Sequence, residues 1–150
     1  MEARLHIYKY KNKVKNNEFR KTWCLVFFDG TSSTSAAETA KRIESLGYGT
    51  LWIPETVGKN PMVLASWLLA NTKNLIIATG IANIYHREPG VTLAAQNSLA
   101  EQSDNRFLLG IGVSHKPIVE GVRGLTYGPP VATMKKYLEQ MDSSPYAAVT

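Results

Sequence analysis

The sequence predicts an α/β fold built on a parallel sheet, and three observations carry that prediction. Four short runs, at residues 22–28, 50–53, 75–81 and 107–113, are rich in β-branched, aromatic and aliphatic residues without polar alternation, the pattern of strands covered on both faces. Each run is followed by a segment with apolar residues at helical spacing. The connections are short and the order is always strand then helix, which implies right-handed crossovers between parallel strands. Two architectures satisfy these observations: an open doubly wound sheet, or about four βα units of a (β/α)8 barrel. Both place the chemistry at the C-terminal ends of the strands.

The first strand, TWCLVFF, stops at Asp29-Gly30. The serine and threonine cluster behind it caps a helix from about Ser35, with Ala36, Ala40, Ile43 and Leu46 on the apolar face and Gly47 as terminator. TLWI is the second strand and ends at Pro54-Glu55. Asn60-Pro61 then supplies an N-cap with proline at the first helical position, and Val63, Leu64, Trp67, Leu68 and Ala70 read as one apolar face. LIIATGI is the third strand. It leaves through the polar segment NIYHREPG into a helix over 89–104, with Leu93, Ala94, Leu99 and Ala100 as its stripe. Asn105 belongs to a residue type that tolerates the left-handed conformation that stops a helix. FLLGIGV is the fourth strand. A glycine-rich loop, GVRGLTYGPP, leads to the last helix over 130–141, apolar at Val131, Met134, Tyr137, Leu138 and Met141.

The net charge of +5 belongs to one end of the chain: residues 1–21 hold seven basic and two acidic residues, and residues 22–150 hold ten of each. Such a segment is expected to be a solvated, disordered arm, and a neutral body argues against nucleic acid as a partner. The chain therefore divides into a basic tail, 1–21, one domain, 22–142, and a short tail, 143–150. The single cysteine, Cys24, lies in an apolar run and reads as a small core residue. No apolar run approaches the ~20 residues of a membrane span, and no segment resembles a secretory leader, so a cytoplasmic protein is the expectation.

The segment LLGIGVSH lacks the third glycine of a dinucleotide fingerprint, and no G-x-x-x-x-G-K-[ST] or G-x-S-x-G pattern occurs anywhere. The three histidines lack the spacing of metal ligands. What remains is a set of polar groups at adjacent strand mouths. Glu55 reads as a general base, as an acceptor for a ligand hydroxyl, or as a helix N-terminal carboxylate. His115 reads as a proton shuttle or a loop histidine facing water. Asn83, Tyr85 and Arg87 offer donors on the third exit; Arg87 suits a phosphate or carboxylate, with a surface ion pair to Glu88 as the plainer reading.

The strings SLGYGTLWIPE, TGIANIYHREP, LAEQSDNRFLLGIGVSH and GPPVATMKKYLEQM, in this order, resemble the N-terminal half of the luciferase-like monooxygenase family, most closely its branch that uses the deazaflavin coenzyme F420. The resemblance covers roughly residues 22–142. It implies a partial (β/α)8 barrel and an oxidoreductase that passes hydride between coenzyme F420, or alternatively FMN, and a small organic substrate. It also implies a non-proline cis peptide at Gly80-Ile81 behind the cofactor ring, with Gly80, Ile81, Ala82, Asn83, Arg87, Gly110, Gly112 and Ser114 as cofactor contacts. Glu55 and Thr56 stand where relatives often carry Asp-His, so the carboxylate is kept and the histidine is not. His115 stands where some relatives place an acidic proton donor. Asn105-Arg106-Phe107 replaces the family's Gly-Arg-Phe.

A complete barrel of this kind takes ~250 residues. At 150 residues the expectation is a fragment, a half barrel that pairs with itself or a complementing chain, or a rearranged open sheet. The alternative to an enzyme is a non-catalytic half-barrel remnant or subunit that acts only through partner binding.

Overall fold

The computed structural model describes residues 6–7 and 22–145. Its main sheet has four parallel strands in the order β2-β3-β4-β6, namely Trp23–Leu25, Thr50–Ile53, Ile76–Thr79 and Phe107–Leu108. Between them run α1 (Ser33–Ser45), α2 (Pro61–Ala70) and α3 (Pro89–Glu101), and α4 (Pro130–Asp142) follows the last strand. Consecutive helices touch one another along one side of the sheet.

The third and fourth runs are not single strands. Beyond β4 the chain breaks at residues 80–81 and resumes as β5 (Ala82–Asn83); beyond β6 it resumes as β7 (Gly110–Gly112), parallel to β5. The Gly80-Ile81 peptide is cis, at the position the resemblance assigned to such a bond. Residues His6–Ile7 form a further strand, β1, antiparallel to β7 with His6 opposite Ile111 and Ile7 opposite Gly110. These two residues lie within the basic segment expected to be a solvated arm. The rest of 1–21, and 146–150 of the expected C-terminal tail, lie outside the described residues.

Parallel register sorts the side chains into two faces, because residues paired across strands point the same way. Cys24, Leu51, Ile77 and Phe107 form one row, and it lies in the helix-covered core with Ile53, Ala36, Ala40, Leu64, Leu68 and Leu93. Leu25, Trp52, Ala78 and Leu108 form the row on the opposite face. The first strand was expected to be buried on both faces and is not: Trp23 is 65% exposed, Leu25 43% and Phe27 64%. It is an edge strand, and nothing among the described residues covers its inner face.

Local chemistry explains the helix ends. Ser32 Oγ accepts from the Ser35 amide at the start of α1, and Asn60 Oδ1 accepts from the Met62 and Val63 amides with Pro61 at the first helical position. Gly47, at φ +84, follows α1, and Asn105, at φ +61, takes the left-handed turn into β6. The apolar face of α2 is rotated from its expected position, with Pro61, Met62, Leu64, Ala65, Leu68 and Leu69 buried. Trp67 instead lies at the seam with α1, where its indole N–H donates to the Ser33 carbonyl, and Val63 faces solvent. Of the α4 stripe only Tyr137 and Met141 are buried, and Val131 is exposed. A π-helical turn, Pro117–Val122, leads into the glycine-rich loop.

Candidate active site

The C-terminal mouths of β3, β4 and β7 meet around the break at residues 80–81. The Gly80 amide donates to the Ile53 carbonyl and the Glu55 amide to the Ile81 carbonyl, at 2.9 and 3.0 Å, so the second strand's exit carries the break on its own backbone. Glu55 then turns its side chain under the third exit. Its Oε1 accepts from Arg87 Nη2 at 2.6 Å and lies 3.0 Å from His86 Nδ1; its Oε2 accepts from the Asn83 amide at 2.7 Å and from Arg87 Nη1 at 2.8 Å. Four donors fill the roughly four acceptor positions of a carboxylate. The pair is buried, with side-chain exposures of 5% for Glu55 and 9% for Arg87.

Burial alone would raise the Glu55 pKa, but the donors from Arg87, Asn83 and His86 and the Arg87 charge outweigh it and hold the carboxyl below its ordinary value. The same geometry assigns the His86 tautomer. Asn83 Oδ1 accepts from the Tyr85 amide, so its Nδ2 faces His86 Nε2 as a donor, and the ring proton sits on Nδ1 toward Glu55.

Several expectations are corrected by this arrangement. Arg87 pairs with Glu55, not with Glu88, and its fork is not free for a phosphate; Glu88 caps α3 by accepting from the Val91 amide. Glu55 has no uncommitted lone pair with which to act as a base. Asn83 and Ala82 are buried beneath the mouth.

The glycines are required by the protein itself. A Cβ on Gly110 would fall 2.2 Å from the Thr79 carbonyl oxygen, one on Gly80 2.9 Å from the Trp52 ring, and one on Gly112 3.0 Å from the Ile81 side chain. Gly110 and Gly112 therefore have a steric reason within the chain itself, whatever lies over the mouth.

Gly80 and Ile81 are half-buried at the mouth, Ser114 is half-buried and His115 is exposed just past the end of β7. Ser114 has φ +56, and its carbonyl accepts from Tyr127 Oη at 3.3 Å. Tyr127 stacks on Tyr85 with ring centroids 5.5 Å apart, which ties the third exit to the fourth. Thr56 Oγ1 donates to Asp29, and Arg123 donates to the Thr56 carbonyl, closing the mouth on its other side. Sequence reading noted Asp29 only as a strand end and gave no site role to His86, Tyr127 or Arg123. The signal for His86 was the β3–β4 register, since Ile53 opposite Thr79 brings Glu55 to the exit after residue 81.

Among the described residues no group of three or more His, Cys, Asp or Glu could hold a metal ion, and no helix is long and apolar enough to cross a membrane.

Over residues 22–143 the chain matches the family model of luciferase-like monooxygenases. The chain belongs to that family. It is 27% identical over 103 residues to a Mycobacterium tuberculosis protein provisionally named as a coenzyme F420-dependent oxidoreductase, covering 69% of this chain and 30% of that protein. The solved coenzyme F420 dependent tetrahydromethanopterin reductase from Methanopyrus kandleri superposes with a TM-score of 0.70 at 19% identity, over 80% of this chain and 38% of the other. The FMN complex of the oxygenating constituent of 3,6-diketocamphane monooxygenase from the CAM plasmid of Pseudomonas putida superposes at 0.68 and 20% identity, over 81% and 38%. The structural likeness shows the fold: four βα units of a luciferase-like barrel. The chain spans about a third of the length of these relatives.

Proposed function

We propose that this chain forms the ring-supporting part of an oxidoreductase site in which hydride passes between a deazaflavin, coenzyme F420, or alternatively FMN, and a small organic substrate. Family membership supports the reaction class. The observation that carries the site is the partly exposed Gly80 and Ile81 at the strand mouths, with Ser114 and His115 just past the end of β7 on the same side of the sheet. Gly80 and Ile81 offer backbone and one branched apolar side chain there, an uncharged surface of the kind on which a flat ring packs. The bound ring supplies the hydride chemistry.

The chain's own residues orient the ring and manage the proton. Ser114 offers a hydroxyl to a ring-edge acceptor. His115 is exposed at the same mouth and is the group assigned to hold or deliver a proton. Arg87 takes no part in phosphate binding. Titration of the purified chain with FMN and with coenzyme F420 tests the reading. Saturable quenching of tryptophan fluorescence is expected, because Trp52 lies against Gly80. No optical change with either compound overturns it. His115→Ala is expected to leave binding within about twofold and to lower any turnover by about 10²-fold or more, the usual contribution of a positioned acid or base.

A second reading, a half-barrel subunit that acts only through partner binding, is favoured by one observation, the open inner face at Trp23, Leu25 and Phe27. Sedimentation with and without either cofactor separates the two.

A further inference from the structure

We propose that Glu55 is a positioning residue: with His86 and Arg87 it fixes residues 80–83 as the surface that carries the ring, and it exchanges no proton with substrate. What the surface carries rests on the oxidoreductase reading; what holds the surface rests on geometry alone.

Glu55 grips the segment at two points. Its amide donates to the Ile81 carbonyl, and its carboxylate receives the Asn83 amide. The residue between, Ala82, is 1% exposed and can shift only if one of those bonds breaks. Arg87 closes the far side, since Nη1 reaches both Glu55 Oε2 and, at 3.4 Å, the Asn83 carbonyl. His86 braces the Asn83 side chain, which in turn caps the 3₁₀ turn at Tyr85. Donors from three residues of one exit, Asn83, His86 and Arg87, reach the two oxygens, and a bidentate arginine–carboxylate pair sets orientation as well as strength. A reacting group needs a free lone pair and access to substrate. Glu55 has neither.

The other end of the same strand shows the device without a mouth. Glu44 reaches from α1 to accept the Lys73, Asn74 and Leu75 amides just before β4. Both ends of β4 are therefore tied by a carboxylate from a preceding element, and only the Glu55 end faces the mouth. Glu44 supplies the control for a purely structural loss.

The test compares the full chain with Glu55→Gln, Glu55→Asp and Glu44→Gln by site-resolved amide hydrogen exchange and by titration with FMN and coenzyme F420. Glutamine keeps the shape but turns an N–H2 toward donors. Glu55→Gln is expected to speed exchange at Ala82 and Asn83, and to weaken ring binding, by about tenfold or more, the effect of one lost charge-assisted bond. Glu44→Gln is expected to speed exchange at residues 73–75 and to leave binding unchanged. Unaltered exchange at 82–83 together with unaltered binding in Glu55→Gln overturns the proposal, as does an equal loss of binding in Glu44→Gln. If Glu55→Gln does not fold, Glu55→Asp, which keeps the charge and shortens the reach, is read against the same two outcomes. A wild-type chain that binds neither ring removes the oxidoreductase reading, and the clamp is then decided by exchange alone.

Discussion

Gly110 separates steric need from ligand need. Its amide donates to Thr79 Oγ1 and its carbonyl accepts from the same hydroxyl, both at 2.9 Å, so β7 lies too close to the end of β4 for any side chain. Gly110→Ala is expected to destabilise the chain by about 3 kcal/mol, at the upper end for overpacking, because the obstructing atom is a backbone oxygen. Gly121→Ala, where a Cβ meets nothing within 4 Å, is expected to stay within about 0.5 kcal/mol; urea denaturation of both variants checks the contrast. Glu55 gives a pH signature with a definite sign. Burial would raise its pKa, its donors lower it further, and the folded value lies below the ordinary glutamate value of about 4.3. Its contribution to stability is complete above that value and is lost as pH falls through the folded pKa. Glu44 is lowered too, by its three amide donors against a burial effect of opposite sign. Denaturation midpoints measured from pH 6 down to pH 3 are expected to fall less steeply in Glu55→Gln than in the wild type; equal slopes count against the clamp. At this scale the sequence named Glu55, Asn83, Arg87 and His115 but not which of them bind one another. Residue type and strand position are local facts, whereas the arginine and histidine that take up Glu55 are joined to it only by sheet register.

At the scale of elements, legibility follows how local the determining forces are. The starts of α1 and α2 and the left-handed stop at Asn105 could be read because each is decided within a few residues by a side-chain oxygen, a proline or a tolerant backbone. Asn60→Ala is expected to cost about 1 kcal/mol by thermal or urea unfolding, since both amides held by its side chain lose their acceptor. Strand interruptions were not legible in the hydrophobic pattern, although the resemblance placed a cis peptide at Gly80-Ile81. LIIATGI and FLLGIGV each read as one apolar run, and only the neighbouring strand shows that pairing stops at residues 80–81 and at Leu109 and then resumes. The rotation of α2 has a similar cause. Val63 and Trp67 are as apolar as Leu64 and Leu68, and tertiary contact between Trp67 and α1 decides which pair faces inward. β2 is the sharpest case, since hydrophobic composition predicts a strand with two covered faces but does not say whether the second cover is present.

At the scale of the whole molecule, two parallel rows of side chains have different fates. The row through Leu51 and Ile77 is closed by helices, while the row through Leu25 and Trp52 is open toward the β2 edge, where Trp23 and Phe27 add to it. Burying aromatic or leucine side chains of this size stabilises by about 1.5–3 kcal/mol each, so the open face favours any contact that covers it. The smaller sheet, β1-β7-β5, has one of its edges occupied. β1 lies along β7 on the edge away from β5, and a strand from another molecule would have to displace it to pair there. Association is therefore expected through the inner face and the β2 edge, before the β7 edge. The 150-residue chain is expected to bind an apolar dye and to show a concentration-dependent rise in mass by sedimentation. Leu25→Lys with Phe27→Lys is expected to reduce both, because each places a charge in the open row and leaves the helix-facing row untouched. Ile7→Pro removes a backbone donor from β1 and is expected to add a second, slower association that the lysine pair does not suppress. A wild-type chain that stays monomeric and binds no dye would mean that the inner face is covered from within.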